Sequence, residues 1–277
     1  MSRRKPLSSV SPVIYRSSVF LRRLLRRLEW YLGTEKYAMY RSEDTLTETI
    51  VTHESILLRK LAGTDQTLQR NKIASLKTAS ALIDGVVINP GEVFSFWRLV
   101  GKPIERRGFL PGLQLSFGEL VSMVGGGLCQ FSNLLHWMVL HAPLEVSERH
   151  RHSVDPFPDY RRTVPFGTGA TVFYNYLDFM FRNNTPWRFQ VKTWVDENNL
   201  QGEIRCEKKL PSIFSVEERN HRFIRIGETV YRDNELWRIE TDSVTSEVMA
   251  QELLMKNHAE VRYDATEIPG ICIIESD

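Results

Sequence analysis

Cysteine is scarce in this chain: three residues in 277, widely spaced and odd in number. Such a set does not make a disulfide framework. Cys129, Cys206 and Cys272 therefore read as free thiols of a reducing compartment. A long apolar run is also missing: no run of 18 or more apolar residues occurs, so no spanning helix is expected. Nor is there an excess of one charge. Thirty-six Lys and Arg against 34 Asp and Glu leave +2, too little for a general attraction to nucleic acid. The start of the chain is basic, but residues 19–32 are interrupted by Arg22, Arg23, Arg26 and Arg27. That breaks the apolar region of a secretion signal, and no small-residue cleavage site follows. The expected location is cytoplasmic, with peripheral contact at the inner face of the membrane as an option.

What is present is an ordinary globular composition, long enough for one large domain or two small ones. Its most informative stretch is Val124-Gly125-Gly126-Gly127-Leu128-Cys129-Gln130-Phe131-Ser132-Asn133. Three glycines let the backbone turn sharply and expose N–H groups. An apolar segment of helical length follows, from Cys129 to about Leu140, and Pro143 stops it. A lone cysteine thus stands where a tight turn becomes a helix. The first N–H groups of a helix have no internal partner and carry partial positive charge, so a thiol there is expected to have a lowered pKa. The alternative is plain packing, because unpaired cysteine is among the most buried residue types.

The same residues resemble the VanW family, named for an accessory protein of some glycopeptide-resistance gene clusters. Gly125-Gly126-Gly127-Leu128-Cys129-Gln130-x-Ser132-Asn133-Leu134-Leu135 carries the resemblance. So do Asn89-Pro90-Gly91-Glu92-x-Phe94-Ser95-Phe96-Trp97, Glu148-Arg149-His150-x-His152-Ser153, Leu177-Asp178-Phe179 and Asn183-Asn184-Thr185. The match runs over about residues 66–210. It implies a role linked to glycopeptide resistance or the cell envelope, with a cell-wall peptide or precursor as partner and no nucleic acid. One position departs from the family: Gly169-Ala170-Thr171 stands where members typically show Asp-Ala-Thr.

Three regions are expected. Residues 1–33 are basic, with an amphipathic helix from Ser17 or Ser18 to Leu32; Phe20, Leu24, Leu28, Tyr31 and Leu32 form one stripe and the arginines fill the other side. This helix either packs its stripe on the protein, with solvated arginines outside, or lies on an anionic membrane through residues 17–32. Residues 34–210 are expected to form an α+β domain, a central buried helix beginning at Cys129 and packed on an antiparallel sheet. Its order of glycine turn, Cys-headed helix and later strands resembles papain- and transglutaminase-like thiol enzymes. Within it, a helix from Thr67 to Ile83 should precede a hairpin of 86–88 and 93–97 across the Asn89-Pro90-Gly91 turn. Residues 144–157, 170–176 and 179–181 read as strands, and 188–195 with 200–206 as a hairpin. Residues 211–277 read as a small extension of short β-strands.

In an enzymatic reading Cys129 is the nucleophile, His152 the preferred base and His150 its competitor, since Glu148, His150 and His152 share one face of an extended segment. Asp178 is the candidate that orients the base. If the acid missing at Gly169 were that third member instead, the protein would be impaired. Gln130 could offer its amide to an oxyanion together with the Cys129 N–H. Gly125, Gly126, Gly127, Ser132, Asn133 and Trp97 are candidate ligand contacts; for Gln130 and Asn133 the competing role is local hydrogen bonding. Convergence of Cys129, His136, His150 and His152 on a metal is the weaker idea, as no CxxC or HExxH spacing is present. No metal or cofactor is expected. The non-enzymatic alternative is a binding module with Cys129 packed and inert.

Overall fold

The computed structural model describes residues 12–58, 66–116, 119–151, 154–155, 163–265 and 272–276. Helix α1 (Pro12–Leu32) precedes strand β1 (Glu48–Ile56) and helix α2 (Gln66–Ile83). Strands β2 (Val86–Ile88) and β3 (Val93–Ser95) lead into the short helix α3 (Phe96–Val100). A hairpin of β4 (Pro111–Ser116) and β5 (Glu119–Val124) enters helix α4 (Cys129–Leu140). After it come β6 (Glu145–Glu148), β7 (Val154–Asp155), β8 (Met180–Arg182), β9 (Phe189–Val195) and β10 (Asn199–Cys206). Four strands follow: β11 (Ser212–Ile226), β12 (Thr229–Asp242), β13 (Val248–Val261) and β14 (Ile273–Ser276).

The described residues form an α+β fold with few helices and mainly antiparallel sheets. One sheet has the order β1-β10-β9-β2, a second β3-β8-β6, and a third β14-β11-β12-β13-β7, whose two edge strands run parallel to their neighbours. Helices α2 and α4 pack against the first sheet. α2 turns Leu76, Ala79 and Ile83 inward at helical spacing, and Gly85, at φ +80°, follows its end. Phe94, Phe96, Phe131, Phe179, Phe181 and Phe189 are fully buried in one cluster. Each contributes roughly 2–3 kcal/mol of apolar burial.

Several local expectations change. The Asn89-Pro90-Gly91 turn forms, but β2 and β3 do not pair across it; β2 pairs with β9 and β3 with β8. β3 ends at Ser95, which caps α3 by accepting the Arg98 N–H, so 93–97 is not one strand. Residues 170–172 are irregular and 174–176 form a turn, closed by a bridge between Phe173 and Leu177. The separate short strands expected after 211 are instead long, continuous ones. β12 runs straight through Arg232-Asp233-Asn234-Glu235, read as a turn.

Helix α1 is amphipathic as expected, but its packing is reversed from the solvated-arginine arrangement. Arg26 meets Glu148 at 2.6 Å, Arg23 Nε donates to the Tyr174 carbonyl, and Trp30 packs on the core. The apolar stripe faces outward, with Phe20 69% and Leu32 78% exposed. Among the described residues no helix is long and apolar enough to cross a membrane.

Candidate functional site

The glycine turn is built by close backbone packing. Gly125 and Gly127 sit at φ +79° and +93°, where side chains are strained. A Cβ on Gly126 would overlap the Gly112 carbonyl, and one on Gly127 would overlap Lys72. The turn therefore lies directly on β4 and α2, which fixes where α4 begins. Leu128 stands at the helix cap without a side-chain hydrogen bond.

Cys129 then lies on the floor of a small pocket. Arg23, Trp97, Lys102, Pro103, Met123 and Tyr174 line it with Cys129. Its volume is about 90 Å³, room for a few waters or the end of one side chain. No acidic side chain is among its described lining residues, and Arg23 and Lys102 stand on it as cations. An adjoining, more apolar cleft of about 330 Å³ shares Arg23, Met123 and Phe173, and adds Tyr15, Val19 and Phe20 of α1.

The thiol state differs from the sequence expectation. Burial pushes the Cys129 pKa up, and the backbone of Val172 and the residue's own N–H, acting the other way, do not outweigh it. Desolvation of the anion beats the helix start. The Sγ–H donates to the Val172 carbonyl at 3.7 Å. Ser132 and Asn133 hold the same segment two residues earlier. Ser132 Oγ donates to Ala170 O at 2.6 Å, and Asn133 Oδ1 accepts the Ala170 N–H at 2.7 Å. These two side chains pair residue 170 to α4 much as a neighbouring strand would.

The remaining candidates are distributed as follows. His150 does not touch the thiol: its Nε2 lies 2.9 Å from Glu148 Oε1, and its side chain is 36% exposed. Its carbonyl accepts the Thr171 N–H at 2.7 Å, which anchors the chain one residue from Val172. His152 lies outside the described residues. Among the described residues Asp178 contacts no imidazole. Fully buried, it accepts from Ser95 Oγ at 2.6 Å, from the Trp97 N–H at 3.0 Å and from the Phe179 N–H at 2.8 Å. Burial, with the Glu148 charge adding, raises its pKa to about 6 against those bonds. It is the clamp joining β8 to α3, and so it positions Trp97, whose Nε1–H donates to Leu177 O. Gln130 is engaged elsewhere: its amide nitrogen donates to Ser55 and to the Ile56 carbonyl on β1. Among the described residues no His, Cys, Asp and Glu cluster has metal-site geometry.

Sequence reasoning missed two features. Glu148 is a hub that accepts from Arg26, His150 and the Asp178 N–H. Burial alone would raise it, but those bonds hold it below the usual carboxylate range. The two-residue period had placed it beside His150, which was the available signal. The second is Arg149. Its guanidinium binds the carbonyls of Gly169 and Gly167 and the Met255 sulfur. Among the described residues it has no carboxylate partner, and burial lowers its pKa to about 10. A Cβ at Gly169 would meet Asn133 Oδ1 at 3.4 Å, ordinary contact. Gly169→Asp, which restores the acid typical of the family, should give Arg149 an anion and stabilise by about 1–2 kcal/mol. Thermal unfolding of the variant checks this; an unchanged or lower Tm contradicts it.

An α+β domain holding a protonated thiol at the base of a cation-rimmed pocket is the class that these features define. The chain belongs to the VanW family. The family model described as "VanW like protein" matches residues 71–205. The vancomycin B-type resistance protein VanW of Enterococcus faecalis is 30% identical over 251 residues, 89% of this chain and 91% of that protein. The uncharacterized protein YoaR of Bacillus subtilis is 32% identical over 156 residues, 52% of this chain and 49% of its own. No solved structure matches.

Proposed function

We propose that the protein is a thiol acyltransferase or hydrolase acting on amide bonds of peptidoglycan-type peptides. The observation that carries this is the placement of Cys129: turn, hairpin and the Ala170 clamp all converge to set one sulfur on the floor of an open pocket. The substrate class comes from the family's link with vancomycin resistance, stated in the name of the Enterococcus faecalis relative. Arg23 and Lys102 suit a substrate carboxylate beside the reacting carbonyl, with Trp97 and Tyr174 against its apolar part. This is the arrangement that a papain- or transglutaminase-like reading assigns to the start of a buried helix.

Because the thiol is protonated at rest, its proton leaves during attack rather than beforehand. Sγ bonds to the carbonyl carbon, the base takes the thiol proton and passes it to the leaving amine, and the C–N bond breaks. Water or a second amine then releases the acyl group. His152 is the base in this reading, two residues beyond the anchored His150.

The test is release of amine from synthetic stem peptides. Cys129→Ala should lower turnover at least ~100-fold, and His152→Ala should shift the pH profile as well as kcat. Full turnover by Cys129→Ala would refute the proposal. The second reading, a binding module, is favoured by the raised thiol pKa and by the pairing of His150 with Glu148. Saturable binding of the peptides with no amine released at any pH would establish it.

A further inference from the structure

We propose that α1 is an interfacial helix that seats the protein on an anionic lipid leaflet. Its outward face is apolar along its length: Phe20, Leu21, Leu24, Leu25, Leu28 and Leu32 are all exposed. This is not a helix waiting to roll inward. The opposite face is already engaged through the Arg26–Glu148 pair and through Arg23 and Trp30. Arg98 adds a hydrogen bond to the Trp30 carbonyl and lies over the rings of Trp30 and Tyr37. Rolling would break the Arg26–Glu148 pair and expose Trp30.

Charge selects the occupant. The helix carries Arg16, Arg22, Arg23, Arg26 and Arg27 against one acid, Glu29. Two of the arginines face the protein, which leaves Arg16 and Arg27 along one flank of the apolar ridge and Arg22 along the other, all exposed. An apolar ridge between cationic flanks matches a leaflet, with acyl chains below the ridge and anionic headgroups beside the arginines. A second copy would set cationic flanks against cationic flanks. The seating also has a geometric consequence. Tyr15, Val19, Phe20 and Arg23 wall the cleft that continues into the Cys129 pocket. A leaflet under α1 therefore brings molecules at headgroup depth beside that pocket. The membrane inference itself does not rest on any chemistry at Cys129.

Flotation of the full chain with vesicles tests it. Vesicles of phosphatidylcholine with about 30 mol% phosphatidylglycerol should carry the protein, and pure phosphatidylcholine should carry much less. Leu24→Glu with Leu28→Glu should lower the partition coefficient at least ~100-fold, with an unchanged melting temperature because both residues are exposed. Arg16→Glu with Arg27→Glu should remove most of the preference for anionic lipid. No flotation on anionic vesicles overturns the proposal, as does flotation that the leucine substitutions leave intact. A dimer in sedimentation that the same substitutions dissolve, with no lipid binding, would give this face to a second copy instead.

Discussion

Gly126→Ala is expected to abolish or cripple folding. The added methyl would occupy the position of the Gly112 carbonyl carbon and oxygen, and Gly112 faces it with the same intolerance. Neither clash is with the flexible end of a side chain. Relief requires the β4–β5 hairpin to move off the turn, which would withdraw the support beneath the start of α4. Overpacking of this kind costs about 3 kcal/mol or more, a large part of the stability of an ordinary domain. Gly91→Ala is the control. Unlike Gly126 it sits at positive φ, +80°, but its Cβ would meet nothing within 4 Å, so only backbone strain of about 1–2 kcal/mol applies. Denaturant unfolding of the two variants should separate them clearly. Equal, small losses would show that the turn is not packed against Gly112.

The second large effect is in pH, through two buried groups that oppose one another. His136 is fully buried; its Nδ1–H donates to Thr168 O at 2.6 Å, and its Nε2 has no partner. Burial, with the Arg149 charge adding, pushes its pKa down to about 3. The unfolded chain takes up this proton from about pH 6.5 downward while the folded protein does not, so acid favours unfolding. By linkage the loss at pH 5 is about 2 kcal/mol relative to neutral pH. Asp178, raised to about 6, acts in the other direction. The folded protein takes up this proton first, between about pH 6 and 3.8, which returns roughly 1.3 kcal/mol at pH 5. The two nearly offset one another in that window. Asp178→Asn, which keeps the shape, should therefore expose the histidine slope and make stability fall steeply from pH 6.5 to 4. His136→Gln should do the reverse and flatten the fall over the same range. Parallel profiles for both variants and the parent would contradict these assignments.

What could be read from the sequence follows from how local each signal is. Helix α2, Gly85 behind it and the β9–β10 hairpin rest on periodicity and turn residues within a few positions, and all three formed. The pairing of β2 and β3 failed because a good turn fixes chain direction, not partners; both strands found mates a hundred or so residues later. Arg232-Asp233-Asn234-Glu235 looked like a turn because it is polar. In β12, however, Arg232 and Asn234 point inward, 2% exposed, to Asp155, the Phe166 carbonyl and Asn257. A buried polar ladder and an exposed turn share one composition. The faces of α1 were legible, but which face meets the protein depended on Glu148 and Tyr174, more than a hundred residues away. The same holds at the site. The motif marked Cys129, while the cations and aromatic rings around it came from α1, α3 and the loop after it, and the segment 172–174.

The most direct test of the central claim is the intact mass of the protein after brief incubation with a stem peptide and rapid acid quench. Chemistry at Cys129 predicts a mass gain equal to the peptide minus its leaving amine, mapped to Cys129 and absent in Cys129→Ala. Peptide bound at saturation, with the protein mass unchanged at every time point, would contradict it.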